Sequence, residues 1–249
     1  MKTVAIVQAR MGSTRFPGKV MEVICGQTLI EILLSRLSKS KKIDQIIVAT
    51  PKNSNNYKLI KYLQEKDYFV YQGSEKNVLQ RYYEAAQEVN ADTIVRVTGD
   101  CPLTDAKLVD SCIEKYQSSN VDYVSNIEPA SFPDGLDVEV LKFSALKKAW
   151  KNAKLKSEFE HVTPYIWDNP ELFLIGNHTN DKDLSNLRLT VDVMDDFKKI
   201  SEIFKSLYPK NKNFSLNDVL VFLKENPEID LLNNKINRNE GYMNSKKED

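Results

Sequence analysis

Thr3-Val4-Ala5-Ile6-Val7-Gln8-Ala9-Arg10-Met11-Gly12-Ser13-Thr14-Arg15-Phe16-Pro17-Gly18-Lys19 is the stretch on which the fold turns. Residues 2–8 form a short run rich in β-branched side chains that ends in a polar, glycine-containing loop, the pattern of a buried first strand. The loop gathers Gly12, Gly18, Ser13, Thr14, Arg10, Arg15 and Lys19 into one short segment. Glycines let a backbone come close to an anion, and backbone N–H groups then cradle it. An arginine offers phosphate oxygens a planar fork, and a lysine offers a mobile point charge. The competing reading is a solvated basic turn, in which three neighbouring cations repel one another with no anion between them. Pro17 stiffens the chain just before Gly18-Lys19, which suits a rigid binding loop.

Spacing separates this loop from two familiar ones. A Walker A loop has four residues between its first glycine and Gly-Lys, followed by Ser or Thr. Here five residues, Ser13 to Pro17, intervene, and Val20 follows Lys19. The dinucleotide fingerprint GxGxxG also fails, because no correctly spaced glycine follows Gly12.

Working outward, residues 28–37 have helical spacing, with Thr28 and Glu31 in capping-box positions. Strands are expected at 45–49, 68–71 and 93–97, and helices at 55–65 and 77–89. This alternation predicts an α/β fold: a mainly parallel, twisted sheet flanked by helices, Rossmann-like and three-layered. Ligands of such sheets bind beyond the carboxyl ends of the strands, where the loops starting at Gln8, Gly73 and Thr98 all fall. After a strand at 122–124 the alternation weakens. Residues 126–185, with a short strand at 138–140 and a helix at 157–167 capped by Ser157, are read as an excursion serving acceptor or dimer contacts. A strand at 187–191 and helices at 195–207 and 215–224 return to the core, so residues 1–231 are expected as one domain. The polar stretch 232–249 is expected as a flexible tail.

Composition narrows the partners. Lys+Arg and Asp+Glu both number 35, a balance that argues against broad nucleic-acid binding. The apolar run at the N-terminus is too short for a signal peptide or a membrane span, and a cytoplasmic protein is expected. Cys25, Cys101 and Cys112 form no CxxC pair and are expected as reduced thiols.

At this point the sequence resembles a known family. Gln8 to Lys19 is similar to the opening loop of the sugar-acid cytidylyltransferases, the octulosonate and acylneuraminate enzymes. The closest likeness is to the branch named after spore coat polysaccharide biosynthesis protein F. The likeness continues through Gly73-Ser74-Glu75-Lys76-Asn77-Val78-Leu79-Gln80-Arg81-Tyr82 and Arg96-Val97-Thr98-Gly99-Asp100-Cys101-Pro102. It resumes at Phe132-Pro133-Asp134-Gly135-Leu136-Asp137-Val138-Glu139-Val140, at Glu160-His161-Val162-Thr163-Pro164-Tyr165-Ile166 and at Thr190-Val191-Asp192. The resemblance implies a single nucleotidyltransferase domain of the nucleotide-diphospho-sugar transferase type, CTP as nucleotide, and a homodimer contacting through 126–170.

Asp100 and Asp192 each follow an expected strand at the ligand edge, and two carboxylates there make a site for Mg2+, which favours hard oxygens shared with phosphates. Family resemblance assigns both to the metal; each could alternatively cap a helix. Asp195 and Asp196 are read as first-turn helix residues. An acceptor hydroxyl or phosphate oxygen then attacks the α-phosphorus of CTP, while Arg10, Arg15 and Lys19 neutralise the triphosphate. Gln8, Ala9, Gly12 and Ser13 complete the nucleotide loop, and Ser74 and Arg81 are the candidates for the pyrimidine edge. Asp137, Glu139, Glu160 and His161 are the candidates for the acceptor, and His178 is read as surface. The chain departs from the octulosonate enzymes where Thr98 and Cys101 replace Gln and Glu, which places the octulosonate substrate in doubt. The alternatives are a GT-A-like glycosyltransferase, whose usual Asp-x-Asp is missing here, and a nucleotide-binding scaffold without turnover.

Overall fold

Every residue from 1 to 249 is described by the computed structural model. Its elements run β1 (Thr3–Gln8), β2 (Val23–Ile24), β3 (Gln27–Thr28), α1 (Leu29–Leu37), β4 (Gln45–Pro51), α2 (Tyr57–Gln64), β5 (Phe69–Gly73), α3 (Val78–Glu88) and β6 (Thr93–Thr98). There follow α4 (Ala106–Ser118), β7 (Tyr123–Ser125), β8 (Glu139–Lys142), α5 (Phe143–Asn152), α6 (Lys156–His161), α7 (Pro164–Trp167), β9 (Ile175–Asn177), α8 (Met194–Leu207), α9 (Leu216–Glu225), α10 (Pro227–Asp230) and α11 (Glu240–Lys246).

Seven strands form one sheet in the order β5-β4-β1-β6-β8-β7-β9. β1 pairs in parallel with β4 and β6, and β5 pairs in parallel with β4. β8 alone runs against its neighbours β6 and β7. Both faces of the sheet are covered, which is why its central strands read as unbroken apolar runs. Val4, Ile6, Ile47 and Ile94 pack on one side with Leu79 and Tyr82 of α3. Ala5, Val7, Val48 and Val95 pack on the other with Leu33 of α1, Leu59 of α2 and Ile113 of α4. A third cluster, around Leu189, Val191, Phe204 and Phe222, sits under α8 and α9. The three-layer α/β expectation holds. No helix is long and apolar enough to cross a membrane.

Local signals account for several boundaries. Thr28 Oγ1 accepts from Glu31 N at 3.3 Å, and Asn77 Oδ1 from Gln80 N at 2.8 Å, so both side chains begin their helices as N-caps. The register Gln8↔Thr98 and Pro51↔Gly73 sets the ends of β1, β4, β5 and β6 along one edge. Gly99 makes this tight approach possible, since a Cβ there would stand 2.7 Å from the Gln8 carbonyl oxygen.

The structure differs from the sequence reading in five places. Residues 187–191 are extended yet outside the sheet, because β8 already occupies the slot beside β6. They pair instead with the turn at 134, where Leu189 N donates to Asp134 O at 2.7 Å. Gly135, at φ 98°, is required there, as any Cβ would lie 2.4 Å from Thr190 N. The expected helix at 157–167 is split into α6 and α7 by Val162 at φ 74°, and Glu158, accepting from Leu155 N at 2.8 Å, serves its start in place of Ser157. The excursion at 126–185 is less separate than expected, since β8 lies within the main sheet. Helices α4 and α5 fall where no element is expected, although Val109, Cys112, Ile113 and Tyr116 of α4 do carry helical spacing. Lastly, 232–249 contains α11, which packs against α6.

Candidate active site

The edge formed by the ends of β1 and β6 opens into a cavity of about 600 Å³. The loop after β1 forms one wall. Its shape is held by Gly18 N donating to Met11 O at 2.8 Å and by Met11 N donating to Asn56 Oδ1 at 2.8 Å. Phe16 is buried and meets the Phe197 ring edge-on at 5.7 Å. That leaves Gln8, Ala9, Arg10, Ser13, Arg15 and Lys19 lining the cavity, whereas Gly12 does not line it. Arg10 is exposed and engages no acid, so its charge is available to an anion.

Lys19 is nearly buried, and its Nζ lies 2.7 Å from Asp100 Oδ2 and 2.7 Å from Asp192 Oδ1. The fold therefore brings together two carboxylates 92 positions apart on one cation. Burial opposes charge on both Lys19 and Asp100, and their mutual attraction prevails: Lys19 is raised and the Asp100 carboxyl is held well below the usual range. Asp192 also receives Arg15 Nη2 at 3.1 Å and Arg188 Nη2 at 3.0 Å. Val191 N donates to Asp100 O at 2.9 Å, which ties the two carboxylate-bearing loops together.

Arg188, Asp134 and Asp196 position Asp192, a role the sequence reading did not find. Arg188 binds Asp196 through Nε and Nη2, both at 2.9 Å, and Asp134 through Nη1 at 2.7 Å. Asp196 is fully buried and accepts from Asp192 N at 2.8 Å and Val193 N at 3.1 Å, so it does cap α8 while also clamping Arg188. The available signal was an arginine inside the apolar string Leu187-Arg188-Leu189-Thr190-Val191.

The two carboxylates suit a divalent cation chemically. They offer hard oxygens converging on a point already occupied by positive charge. No group of three or more His, Cys, Asp or Glu surrounds that point, so phosphate oxygens and water would complete the shell, as is usual for Mg2+.

The remaining candidates separate. Arg81 of α3 is buried, lines the cavity, and donates from Nη1 to Ser74 O at 2.5 Å. Its buried Nε has no partner within the protein, and burial lowers the guanidinium to about 10. Ser74 does not line the cavity; its hydroxyl accepts from Asn77 N at 3.1 Å. Asp137, Glu160 and His161 do line it. Glu139 does not: it pairs with Arg96 and accepts from Tyr123 Oη and Thr163 Oγ1, both at 2.6 Å, so all its capacity is spent inside the protein. Burial and the neighbouring Asp134 and Glu139 push Asp137 up to about 7, against the pull of Arg238. Burial, then Arg96, lowers His161 to about 4, leaving a neutral ring at physiological pH. The Cys101 thiol is buried and pushed well up, which makes it inert. His178 is half-buried, stacked on Phe132 at 5.7 Å and bonded to Ser111 Oγ at 3.1 Å, away from this cavity.

Residues 4–236 match the sequence profile of the cytidylyltransferases. A protein of Methanocaldococcus jannaschii with no assigned function is 41% identical over 238 residues, covering 95% of this chain and 96% of that one. The spore coat polysaccharide biosynthesis protein SpsF of Bacillus subtilis is 31% identical over 235 residues, covering 90% of this chain and 94% of its own. Among solved structures, a cytidylyltransferase from Leptospira borgpetersenii superposes with a TM-score of 0.88 at 33% identity, covering 92% of this chain and 97% of that one.

Proposed function

The chain belongs to the cytidylyltransferase family and is a CTP-dependent nucleotidyltransferase; on that premise we propose that it moves CMP from CTP onto a sugar acid or sugar phosphate, with Mg2+ as cofactor. The observation that carries this reading is the convergence of Lys19, Asp100 and Asp192 beside the free charge of Arg10.

An acceptor oxygen, passing its proton to water where it is a hydroxyl, attacks the α-phosphorus, the bond from that phosphorus to the bridging oxygen breaks, and pyrophosphate leaves. Arg10, Arg15 and Lys19 neutralise the phosphates, with Lys19 turning from the carboxylates to the triphosphate as CTP arrives. Asp100 and Asp192, relieved of Lys19, would hold the metal, whose positive charge supplies electrostatic stabilisation to the phosphate oxygens. Arg188 keeps Asp192 oriented throughout. Arg81, on the cavity wall, reads the base beside the Gln8-Ala9 backbone. Asp137, Glu160 and His161 face the acceptor. Such a mechanism rests on positioning and charge, and needs no nucleophilic side chain.

The similarity to a polysaccharide biosynthesis protein supports a role in supplying an activated sugar for surface polysaccharide. Residues 1–231 form the nucleotidyltransferase domain in this reading, and the dimer contact falls within 126–170, where Leu155 is exposed; light scattering tests the stoichiometry. Pyrophosphate release, measured with each of the four nucleoside triphosphates against a panel of sugar acids and sugar phosphates, tests the activity. Release with CTP and one acceptor class is expected, and tight CTP binding without release from any pairing would overturn the reading.

A further inference from the structure

We propose that residues 238–245 complete the acceptor half of the cavity and that Tyr242 and Ser245 are specificity-determining residues for a polyhydroxylated sugar ring. The inference rests on the reading of the chain as a sugar cytidylyltransferase and adds the wall that selects the sugar.

The segment is fastened on both sides of the cavity. Arg238 Nη1 donates to Phe132 O at 2.8 Å and Nη2 to Asp137 Oδ1 at 2.5 Å. Asp249 accepts from Ser157 N at 2.8 Å and from Ser157 Oγ at 2.6 Å. Between these anchors α11 lies along α6, and Tyr242, Asn244 and Ser245 line the cavity.

The chemistry of this wall matches a sugar. Ser245 Oγ donates to Glu160 Oε2 at 2.7 Å and lies 3.1 Å from His161 Nε2. Glu160 has no cationic partner, so its remaining lone pairs can accept from ligand hydroxyls, and a neutral imidazole beside it adds a further polar contact without charge. Tyr242 meets His161 edge-on at 5.3 Å and Trp167 edge-on at 5.8 Å. An aromatic corner of this kind presents apolar surface to the C–H face of a ring, while Glu160, held in place by Ser245, addresses its hydroxyls. The same short helix sends Glu240 Oε2 to within 2.6 Å of Arg15 Nη1, so the acceptor wall is joined to the phosphate loop.

The test uses the full-length protein, CTP, and 3-deoxy-manno-octulosonate and N-acetylneuraminate as acceptor probes. Tyr242→Ala and Ser245→Ala are each expected to raise the acceptor KM about tenfold while the KM for CTP stays put, and Tyr242→Phe, which keeps the ring, retains the wild-type value. The ratio of kcat/KM between the two probes should also change in Tyr242→Ala. Variants equal to an active wild type in both constants overturn this inference alone, as does a parallel rise in both constants. A wild type that releases no pyrophosphate with either probe or with any other sugar acid or sugar phosphate overturns the proposed function and this inference with it.

Discussion

Replacing Lys19 with Met removes one positive charge while keeping most of the buried stem, and it isolates what the charge does. Lys19 Nζ is 2.7 Å from both Asp100 and Asp192, and its side chain is 10% exposed. Removing one partner from a fully buried ion pair costs about 3–5 kcal/mol. The two carboxylates retain 25% and 22% exposure, and Asp192 keeps Arg15 and Arg188. The expected loss therefore lies below that range, at about 2–3 kcal/mol. For a chain of this length, 2–4 °C per kcal/mol is typical, giving a fall in Tm of roughly 4–12 °C. The two carboxylates, freed of Lys19, should then recruit Mg2+, and a cation at about a hundred times its Kd returns about 2.7 kcal/mol. Thermal unfolding of wild type and variant, with and without Mg2+ at matched ionic strength, reads both effects. The penalty should also fade in acid. Lys19 holds Asp100 below its usual range, so its stabilisation is present above the ordinary carboxylate pKa and is lost as pH falls towards the folded value. An unchanged Tm in Lys19→Met, or a Mg2+ response no larger than that of wild type, would refute the reasoning.

Other perturbations probe the same framework. Asp100→Asn is expected to lower kcat by roughly a hundredfold or more with an unchanged circular dichroism spectrum; near-normal turnover would remove Asp100 from the metal site. Arg188→Met strands the fully buried Asp196 and the largely buried Asp134, and should cost about 3–5 kcal/mol in urea unfolding; a loss under about 1 kcal/mol would show that the clamp on Asp192 is idle. His161 is lowered to about 4, so the folded state binds fewer protons than the unfolded state between that value and the ordinary 6.5. Stability should decline as pH drops through this window, and His161→Gln should flatten the decline; identical pH profiles of chemical denaturation would contradict the assignment.

Much of the cavity wall built by the loop after β1 was legible in the chain itself. Continuous apolar strands separated by amphipathic helices specify a sheet covered on both faces, because each strand must bury both rows of side chains. The loop chemistry of Arg10, Ser13, Arg15 and Lys19 follows β1 directly, so its place at the ligand edge was set by local order alone. The acceptor half was legible only in part. Glu139 has the residue type of a ligand-binding acid, yet the register Arg96↔Glu139 across β6 and β8 turns it into a buried ion-pair partner. Nothing near in sequence announces that β8 will run antiparallel into the sheet.

What the sequence by itself determined is the α/β core, the cationic, glycine-containing loop after β1 and the identity of Asp100 and Asp192 as acids at strand or segment ends. What only the tertiary structure decided is who meets whom over long separations. Lys19 joins Asp100 and Asp192, Arg188 ties Asp192 to Asp196 and Asp134, and Arg238, Tyr242 and Ser245 close over Asp137, Glu160 and His161. The stretch 232–249 reads as tail because its polar residues carry no apolar periodicity. It is ordered by hydrogen bonds and ion pairs to the rim of the cavity, interactions that depend on partners far away in the chain and leave no local pattern to read.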